Sequence, residues 1–202
     1  RQGVLTVSAG NHAAGVAWWC SQRRLLRLPG GVVRTEPSAV PAWREILALH
    51  ERLEGVRYAA RLDAAEQGGP VLLRRDLSVP AFRVDHRIPT LGFLAGEGRR
   101  RLRPEWSGKG EEAVREAVAG GADVAGPVTR PLVAYSGDME WTESLVDAAR
   151  GADLFIAEAL FYDKRVKYHL DLTTLLRERG RLECRRLVVT HMGEDMLARV
   201  DG

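Results

Sequence analysis

The sequence has few cysteines, few lysines and no long apolar run. Its only cysteines are Cys20 and Cys184, which excludes a disulfide-stabilised scaffold and favours a reducing, cytoplasmic compartment. No stretch approaches the roughly 18 consecutive apolar residues of a membrane span, and no charged-then-apolar signal peptide opens the sequence. We therefore expect a soluble protein without a membrane partner.

The basic residues are almost all arginine, because only three of the 30 are lysine. Clustered arginines can bind phosphate groups, although a bias in overall composition is the simpler explanation for their number. The clusters are Arg23-Arg24, Arg74-Arg75, Arg99-Arg100-Arg101 and Arg185-Arg186.

The length of 202 residues, 45% of them hydrophobic, predicts a single domain over residues 1–202. The sequence begins with Arg1 rather than Met, and a strand-like apolar run follows almost at once. We therefore expect the first strands of the domain to be missing from this sequence.

Apolar runs of strand length alternate with segments of helical periodicity, which predicts an α/β fold. Strands are predicted in "GVLTV", "LVAYSGD", "DLFIAEALF" and "RRLVVTHMG", with two more in "PVLLRRDLSVPAFRVDH". Helices are predicted in "AAGVAWWCSQRRLL", "VPAWREILALHERLEG", "GEEAVREAVAGG", "TESLVDAARGA" and "LDLTTLLRERG". The Arg99–Arg103 run is expected to be a solvated loop; alternatively, with Trp106, it contacts an RNA backbone and stacks on a base.

Two helices carry aromatic residues for which we predict positions. Trp18 and Trp19 are expected to line the core or a cleft, and His50 in the second helix is expected at the surface or at its boundary with the core. That helix is expected to end at Gly55. Its predicted buried side consists of Trp43, Ile46, Leu47, Leu49 and Leu53.

Three of the five histidines follow predicted strands, where α/β folds gather catalytic groups. These are His12, His86 and His191. Asp138 follows "AYSG" in the same way, as either a helix N-cap or a metal ligand. Imidazoles and carboxylates at successive strand ends are typical zinc ligands, and a catalytic zinc needs about three of them.

Several segments together are similar to one family. "FRVDHRIPTLGFLAGEGRRRLRPEW", "VAYSGDMEWTESLVDAARGADLFIAEALFYD", "YHLDL" and "LVVTHMGEDML" resemble the metallo-β-lactamase-fold hydrolases, specifically the ribonuclease Z branch, which cleaves tRNA at its 3′ end. The resemblance covers roughly residues 5–198 in order. It implies a mixed α/β (α+β) fold, the αββα sandwich of that family.

The resemblance also implies roles for individual residues. His86 matches a ligand of the first zinc, His191 a ligand of the second, and Asp138 the carboxylate that bridges them. His169 matches the histidine that protonates the leaving oxygen, and Glu158 matches the acidic residue that accompanies it.

The opening "VSAGNHAAG" matches the family's HxHxDH motif poorly. The four ligand positions fall on Val7, Ala9, Asn11 and His12, and only His12 keeps its ligand. Asn11 replaces the carboxylate that helps to take a proton from the attacking water. We therefore expect one zinc ion or none, held by His12, Asp138 and His191, and weak phosphodiester cleavage at best.

Two alternatives remain from the sequence. The cleft of a catalytically inactive member could bind a partner, RNA or a small metabolite. "SAGNHAAGVA" also resembles the cofactor loop of threonine-dehydratase-type pyridoxal-phosphate enzymes, but no Schiff-base lysine precedes it. For the hydrolase, the expected substrate is tRNA, another phosphodiester or a small organic molecule, and the family implies a homodimer through "WWCSQRRLL".

Overall fold

The computed structural model describes residues 4–7, 13–66, 72–74 and 76–199, which form two β-sheets with helices packed against them. The strands are β1 (Val4–Val7), β2 (Val32–Thr35), β3 (Arg61–Ala64), β4 (Leu72–Arg74), β5 (Leu77–Ser78), β6 (Ala81–Val84), β7 (Thr90–Leu102), β8 (Ala125–Tyr135), β9 (Leu154–Glu158) and β10 (Arg186–Thr190). The helices are α1 (Gly15–Leu25), α2 (Val40–Glu54), α3 (Glu111–Ala119), α4 (Glu143–Ala149), α5 (Leu172–Arg177), α6 (Arg179–Leu182) and α7 (Glu194–Leu197).

The smaller sheet contains three parallel strands in the order β1-β2-β3. The larger sheet has the order β10-β9-β8-β7-β5-β4, and β6 also pairs with β7. Its β8, β9 and β10 are parallel neighbours, whereas β7 is antiparallel to β8. Because parallel strands end at the same edge of a sheet, the carboxyl ends of β8, β9 and β10 meet.

Three apolar clusters show how the layers pack. In the first, α1 and α2 cover the three-stranded sheet around Val33 and Trp43. In the second, α4, α5 and α6 cover the larger sheet around Phe155. The third joins Ala65, which follows β3, to Phe93 on β7. The order is therefore helices, sheet, sheet, helices, as an αββα sandwich requires.

The structure confirms the predicted end of helix α2 but not its predicted buried side. Gly55 adopts a left-handed φ of 64° and caps the helix, donating its N–H to Arg52 O. Only Trp43 and Leu47 of the predicted side are buried; Leu53 is 74% exposed. The helix lies on a sheet of only three short strands, so its contact face is narrow.

The prediction for the paired tryptophans is wrong for Trp18, whose side chain is 67% exposed, whereas Trp19 is partly buried against the α1–α2 cluster. His50 is half-buried on α2, at the boundary as expected. No helix in the described ranges has both the length and the apolar character needed to cross a membrane.

The predicted arginine-rich loop is a strand. Arg99, Arg100 and Arg101 lie in β7, which pairs with β8 all the way to Leu102 opposite Ala125. The outer half of this hairpin is exposed, so its side chains do not alternate between apolar and polar. Without that alternation the sequence gives no strand signal.

The segment before the hairpin also differs from its prediction, because it contains three short strands, β4, β5 and β6, rather than two. The last predicted helix is divided into α5 and α6 at Glu178.

Candidate metal centre

Three strand ends place the acidic and imidazole groups of the candidate site. Glu158 is the last residue of β9, and His191 directly follows β10 with a left-handed φ of 56°. Asp138 follows β8 after a short turn. These strands are parallel neighbours, so the three side chains meet at one edge of the sheet.

Each residue of the "SGD" turn after β8 has a different structural role. The Ser136 hydroxyl is buried and accepts the N–H of Glu158 at 3.2 Å, which ties the ends of β8 and β9 together. Gly137 has a φ of 64°, a conformation that favours glycine. Asp138 is 1% exposed and does not cap a helix, since the N-cap of α4 is Thr142. The N-cap alternative for Asp138 is therefore excluded.

Four side chains form a compact group of metal-ligand type. One ligand atom from each of Asp138, Glu158, His169 and His191 lies within 4.8 Å of the others. His191 Nδ1 lies 2.7 Å from Asp138 Oδ1 and 3.3 Å from Glu158 Oε2. His169 Nδ1 lies 3.0 Å from the same Glu158 oxygen. Two imidazoles and two carboxylates thus share one centre.

The Glu158 carboxylate connects this group to the backbone of two neighbouring segments. Its Oε1 accepts the N–H of Met139 at 2.6 Å and that of Leu170 at 3.3 Å. Burial raises the pKa of the Glu158 carboxyl, and hydrogen bonds from His169 and the Met139 N–H oppose that rise. The carboxylate form of Glu158 only accepts hydrogen bonds, and with that form His169 donates from Nδ1 and keeps Nε2 for another partner.

His86 lies beside this group rather than within it. Its ring centroid is 5.6 Å from that of His169 and 5.8 Å from that of Tyr168. A cavity of about 410 Å³ adjoins His86 between the ends of the two sheets, and another of about 410 Å³ adjoins His169. The predicted histidines therefore border two openings on either side of the four-residue group.

The structure leaves part of the predicted site outside the described residues. Asn11 and His12 lie there, as does Ala9, so their predicted roles stay predictions. Val7 ends β1.

Sequence reasoning missed two residues that shape the site. Glu140 accepts the N–H of Tyr168 at 2.5 Å. Tyr168 directly precedes His169 and has a left-handed φ of 71°, so this hydrogen bond fixes the backbone next to His169. Trp141 lines the cavity beside His169. Their place directly after "SGD" is the one signal that could have singled them out.

Comparison with known proteins adds relatives of low identity. No protein-family model matches the chain. tRNase Z TRZ1 of Arabidopsis thaliana is 19% identical over 192 residues, 90% of this chain and 68% of that protein. The chloroplastic tRNase Z TRZ2 of the same plant is 23% identical over 158 residues, 76% of this chain and 44% of the relative.

Solved structures decide the fold. YhfI of Bacillus subtilis, described as a metallo-beta-lactamase fold protein, matches with a TM-score of 0.64 and 12% identity, over 95% of this chain and 65% of that one. The chain has the metallo-β-lactamase fold. The short form of human tRNase Z (ELAC1) matches it with a TM-score of 0.62 and 16% identity, over 95% and 72% of the two chains. In sequence and fold the chain is thus similar to tRNase Z.

The donor set fits a metal ion of the kind that metallo-β-lactamase folds bind. Imidazole nitrogens and carboxylate oxygens bind zinc at about 2.0–2.2 Å, and the four-residue group offers both kinds of ligand atom. Zn(2+)-bound PqqB of Methylobacterium extorquens matches this fold with a TM-score of 0.59 and 14% identity, over 95% of this chain and 62% of that one.

Proposed function

We propose that this metallo-β-lactamase fold is a metal-dependent phosphodiester hydrolase similar in its reaction to tRNase Z. The observation that carries the proposal is the meeting of two histidine–carboxylate pairs, Asp138 with His191 and Glu158 with His169, at one sheet edge. A hydrolase needs a place for a Lewis acid and a place for a proton donor, and the two pairs supply one each.

Asp138 and His191 are the described residues that we assign to metal binding, with His12 as the ligand predicted from the sequence. A zinc ion there would polarise a phosphodiester and lower the pKa of a bound water. Val7 and Ala9 carry no ligand atoms, and Asn11 is a weak one, so we propose one ion or none.

Glu158 and His169 are assigned to proton transfer. Glu158 accepts a hydrogen bond from His169 Nδ1–H, which fixes the ring and stabilises its doubly protonated form, and that form can donate the Nε2 proton to the leaving oxygen. The two backbone N–H groups on Glu158 keep that carboxylate in place. His86 borders the neighbouring cavity and is assigned to substrate positioning there.

The substrate class follows from the relatives, two of which are named tRNase Z. We propose tRNA or another phosphodiester, with a small organic substrate as the alternative. We also propose residues 1–202 as a single domain. A homodimer remains a proposal, supported by the exposed apolar side chains Trp18, Leu25 and Leu26 at α1, and the cytoplasmic location remains a prediction.

The test measures zinc content of the purified protein and its cleavage of a tRNA with a 3′ extension, a phosphodiester whose leaving ribose oxygen needs a proton. We expect about one equivalent of zinc, lost in His191→Ala. His169→Ala should keep its zinc but lose kcat by about 10²–10⁴-fold, the usual contribution of a general acid. His50→Ala is the matched control, because His50 lies on α2 outside the centre.

The outcomes separate the two functions. Loss of zinc in His169→Ala would make His169 a ligand and overturn its role as proton donor. Absence of zinc and of hydrolysis in the unaltered protein would favour the alternative, a non-catalytic protein that binds RNA or a metabolite in the same cleft.

A further inference from the structure

A third cavity lies at the opposite end of the three-stranded sheet from the cavity beside His86. Gly31 and Ala60, in the segments that lead into β2 and β3, form part of its wall. Glu36 and Ala65, which follow the same two strands, instead line the cavity beside His86. The third cavity has a volume of about 190 Å³ and is thus separated from the cavity beside His86 by the length of the strands, on the order of 10 Å.

Four arginines line this cavity, and no acidic residue does. The arginines are Arg23, Arg24, Arg27 and Arg57. By contrast, both cavities beside the candidate centre include carboxylates in their walls. Arg57 is paired with Glu51, so the other three arginines give this cavity an excess of positive charge, which favours an anion.

Two of the arginines are held in place by the protein. Arg23 donates to Pro29 O at 2.6 Å and stacks over Trp19, with its guanidinium carbon 4.9 Å from the ring centroid. Arg57 pairs with Glu51 at 3.0 Å. Arg23 is thus preorganised, which lowers the entropy cost of binding a ligand, whereas the Arg57 side chain is 90% exposed.

Among the residues that the structure describes, the remaining arginine donors have no acceptor in an ion pair. Arg24 and Arg27 form no ion pair with any residue that the structure describes, and the buried Nε of Arg23 has no hydrogen-bond partner there. A guanidinium presents its donors in a planar fork that matches phosphate oxygens. The cavity therefore offers unused donors of the right geometry.

Arg27 occupies a backbone position that favours glycine. Its φ is 52°, and its N–H is bonded to Arg24 O in the turn that ends α1. A left-handed conformation is strained for a residue with a Cβ. Arg27, the residue with the strained backbone, is thus one whose side chain lines the cavity.

We propose that this cavity binds a small anion that carries a phosphate group. The small volume suits inorganic phosphate or a short phosphate ester, since drug-sized ligands need roughly 300 Å³ or more. Cys20 and Tyr58 supply an uncharged wall. The negative end of the α1 dipole also attracts arginines, and such a purely structural role would leave the cavity without a preference for phosphate.

The experiment compares inorganic phosphate with chloride at equal ionic strength, using metal-free protein so that the candidate centre adds no anion site. Thermal unfolding and titration calorimetry are the readouts. Phosphate should raise the unfolding midpoint and bind at one site per chain. In Arg24→Gln/Arg27→Gly, phosphate binding should weaken about tenfold or more, whereas Arg115→Gln on α3 is the matched control and should bind normally.

Arg27→Gly alone separates binding from folding. Glycine relieves the left-handed strain, so the midpoint without phosphate should stay or rise while the phosphate response falls. Equal responses to phosphate and chloride, or an unchanged phosphate response in the double variant, would overturn the proposal.

A parallel binding experiment with tRNA distinguishes a small phosphate ligand from the phosphate backbone of RNA. If the double variant loses affinity for tRNA while phosphate alone never binds, the occupant is an RNA backbone and the small-anion proposal is wrong. If tRNA binding is unchanged and phosphate binding is lost, the small anion is supported.

Discussion

Glu158 illustrates what one buried carboxylate can organise. It is 1% exposed, yet it accepts two backbone N–H groups and contacts the rings of His169 and His191. Burying a charge is costly unless hydrogen bonds offset the lost solvation, and the contacts with His169 and the Met139 N–H oppose the rise in the Glu158 pKa that burial causes. The same contacts fix both imidazoles, which is why this residue positions the site even if it never touches substrate.

Cys20 is expected to be unreactive. Burial raises the pKa of its thiol to about 11, so only on the order of a thousandth of it is thiolate at pH 8. Iodoacetamide at pH 8 should therefore label Cys20 about 100-fold more slowly in native protein than in urea-unfolded protein.

Mass spectrometry of the labelled peptides measures both rates, and Cys20→Ala identifies the signal from Cys184. Labelling of the native Cys20 at the rate of the unfolded chain would show that α1 opens readily or that the thiol is not buried.

The β7–β8 hairpin carries a run of charged side chains at the start of β8, the end of that strand that lies away from the candidate centre. Arg99 pairs with Glu97 at 2.6 Å, and Arg100 pairs with Asp123 at 2.6 Å. A strand holds its side chains in fixed alternation, so each arginine has a set partner, which a solvated loop would not give. The hairpin therefore offers fewer unneutralised cations than its sequence suggests.

Two glycines on separate helices give a paired test of backbone conformation. Gly55 ends α2 with a φ of 64°, whereas Gly15 begins α1, and a Cβ at either would meet no atom within 4 Å. Gly55→Ala should lower the free energy of unfolding by about 1–2 kcal/mol because of left-handed strain. Gly15→Ala should raise it by roughly 0.5 kcal/mol, since alanine loses less entropy in a helix.

Urea unfolding at neutral pH measures both changes. A stabilising Gly55→Ala would mean that α2 does not end in a left-handed turn in solution.

At the scale of the whole molecule, the candidate centre is assembled from the ends of β8, β9 and β10 and the segment that carries His169, and His86 after β6 lies beside it. His86 and His191 are 105 positions apart in the numbering, yet both contact the region of His169, with ring centroids 5.6 Å from it. Because β8, β9 and β10 are parallel, this arrangement depends on the folded larger sheet. Unfolding of that sheet should abolish the centre as one event.

Binding of tRNA, if it occurs, should depend on which arginine of the hairpin is changed. No ion pair of Arg101 is found among the described residues, whereas Arg99 is neutralised by Glu97. Arg101→Gln should weaken tRNA binding several-fold and reduce the salt slope by about 1. Arg99→Gln should weaken it less, because its guanidinium is already engaged.

Both variants remove one positive charge, so long-range attraction falls equally and the difference reports direct phosphate contact. Filter binding over a range of salt concentrations measures it. Equal losses for the two variants would mean that the hairpin attracts RNA only through its net charge.

The sequence by itself determined the strand-end positions of Asp138 and His191, the end of α2 at Gly55, and the αββα class through the family resemblance. These depend on local periodicity, turn chemistry and the order of motifs along the chain, all of which a sequence carries. Only the tertiary structure decided that Glu158 contacts two histidines, that His86 lies beside the four-residue group, that Arg99–Arg101 belong to a strand, and that Trp18 is exposed. Each of these depends on which distant segment packs opposite the residue, and that is set by the balance of burial and strand pairing across the whole fold rather than by neighbouring residues.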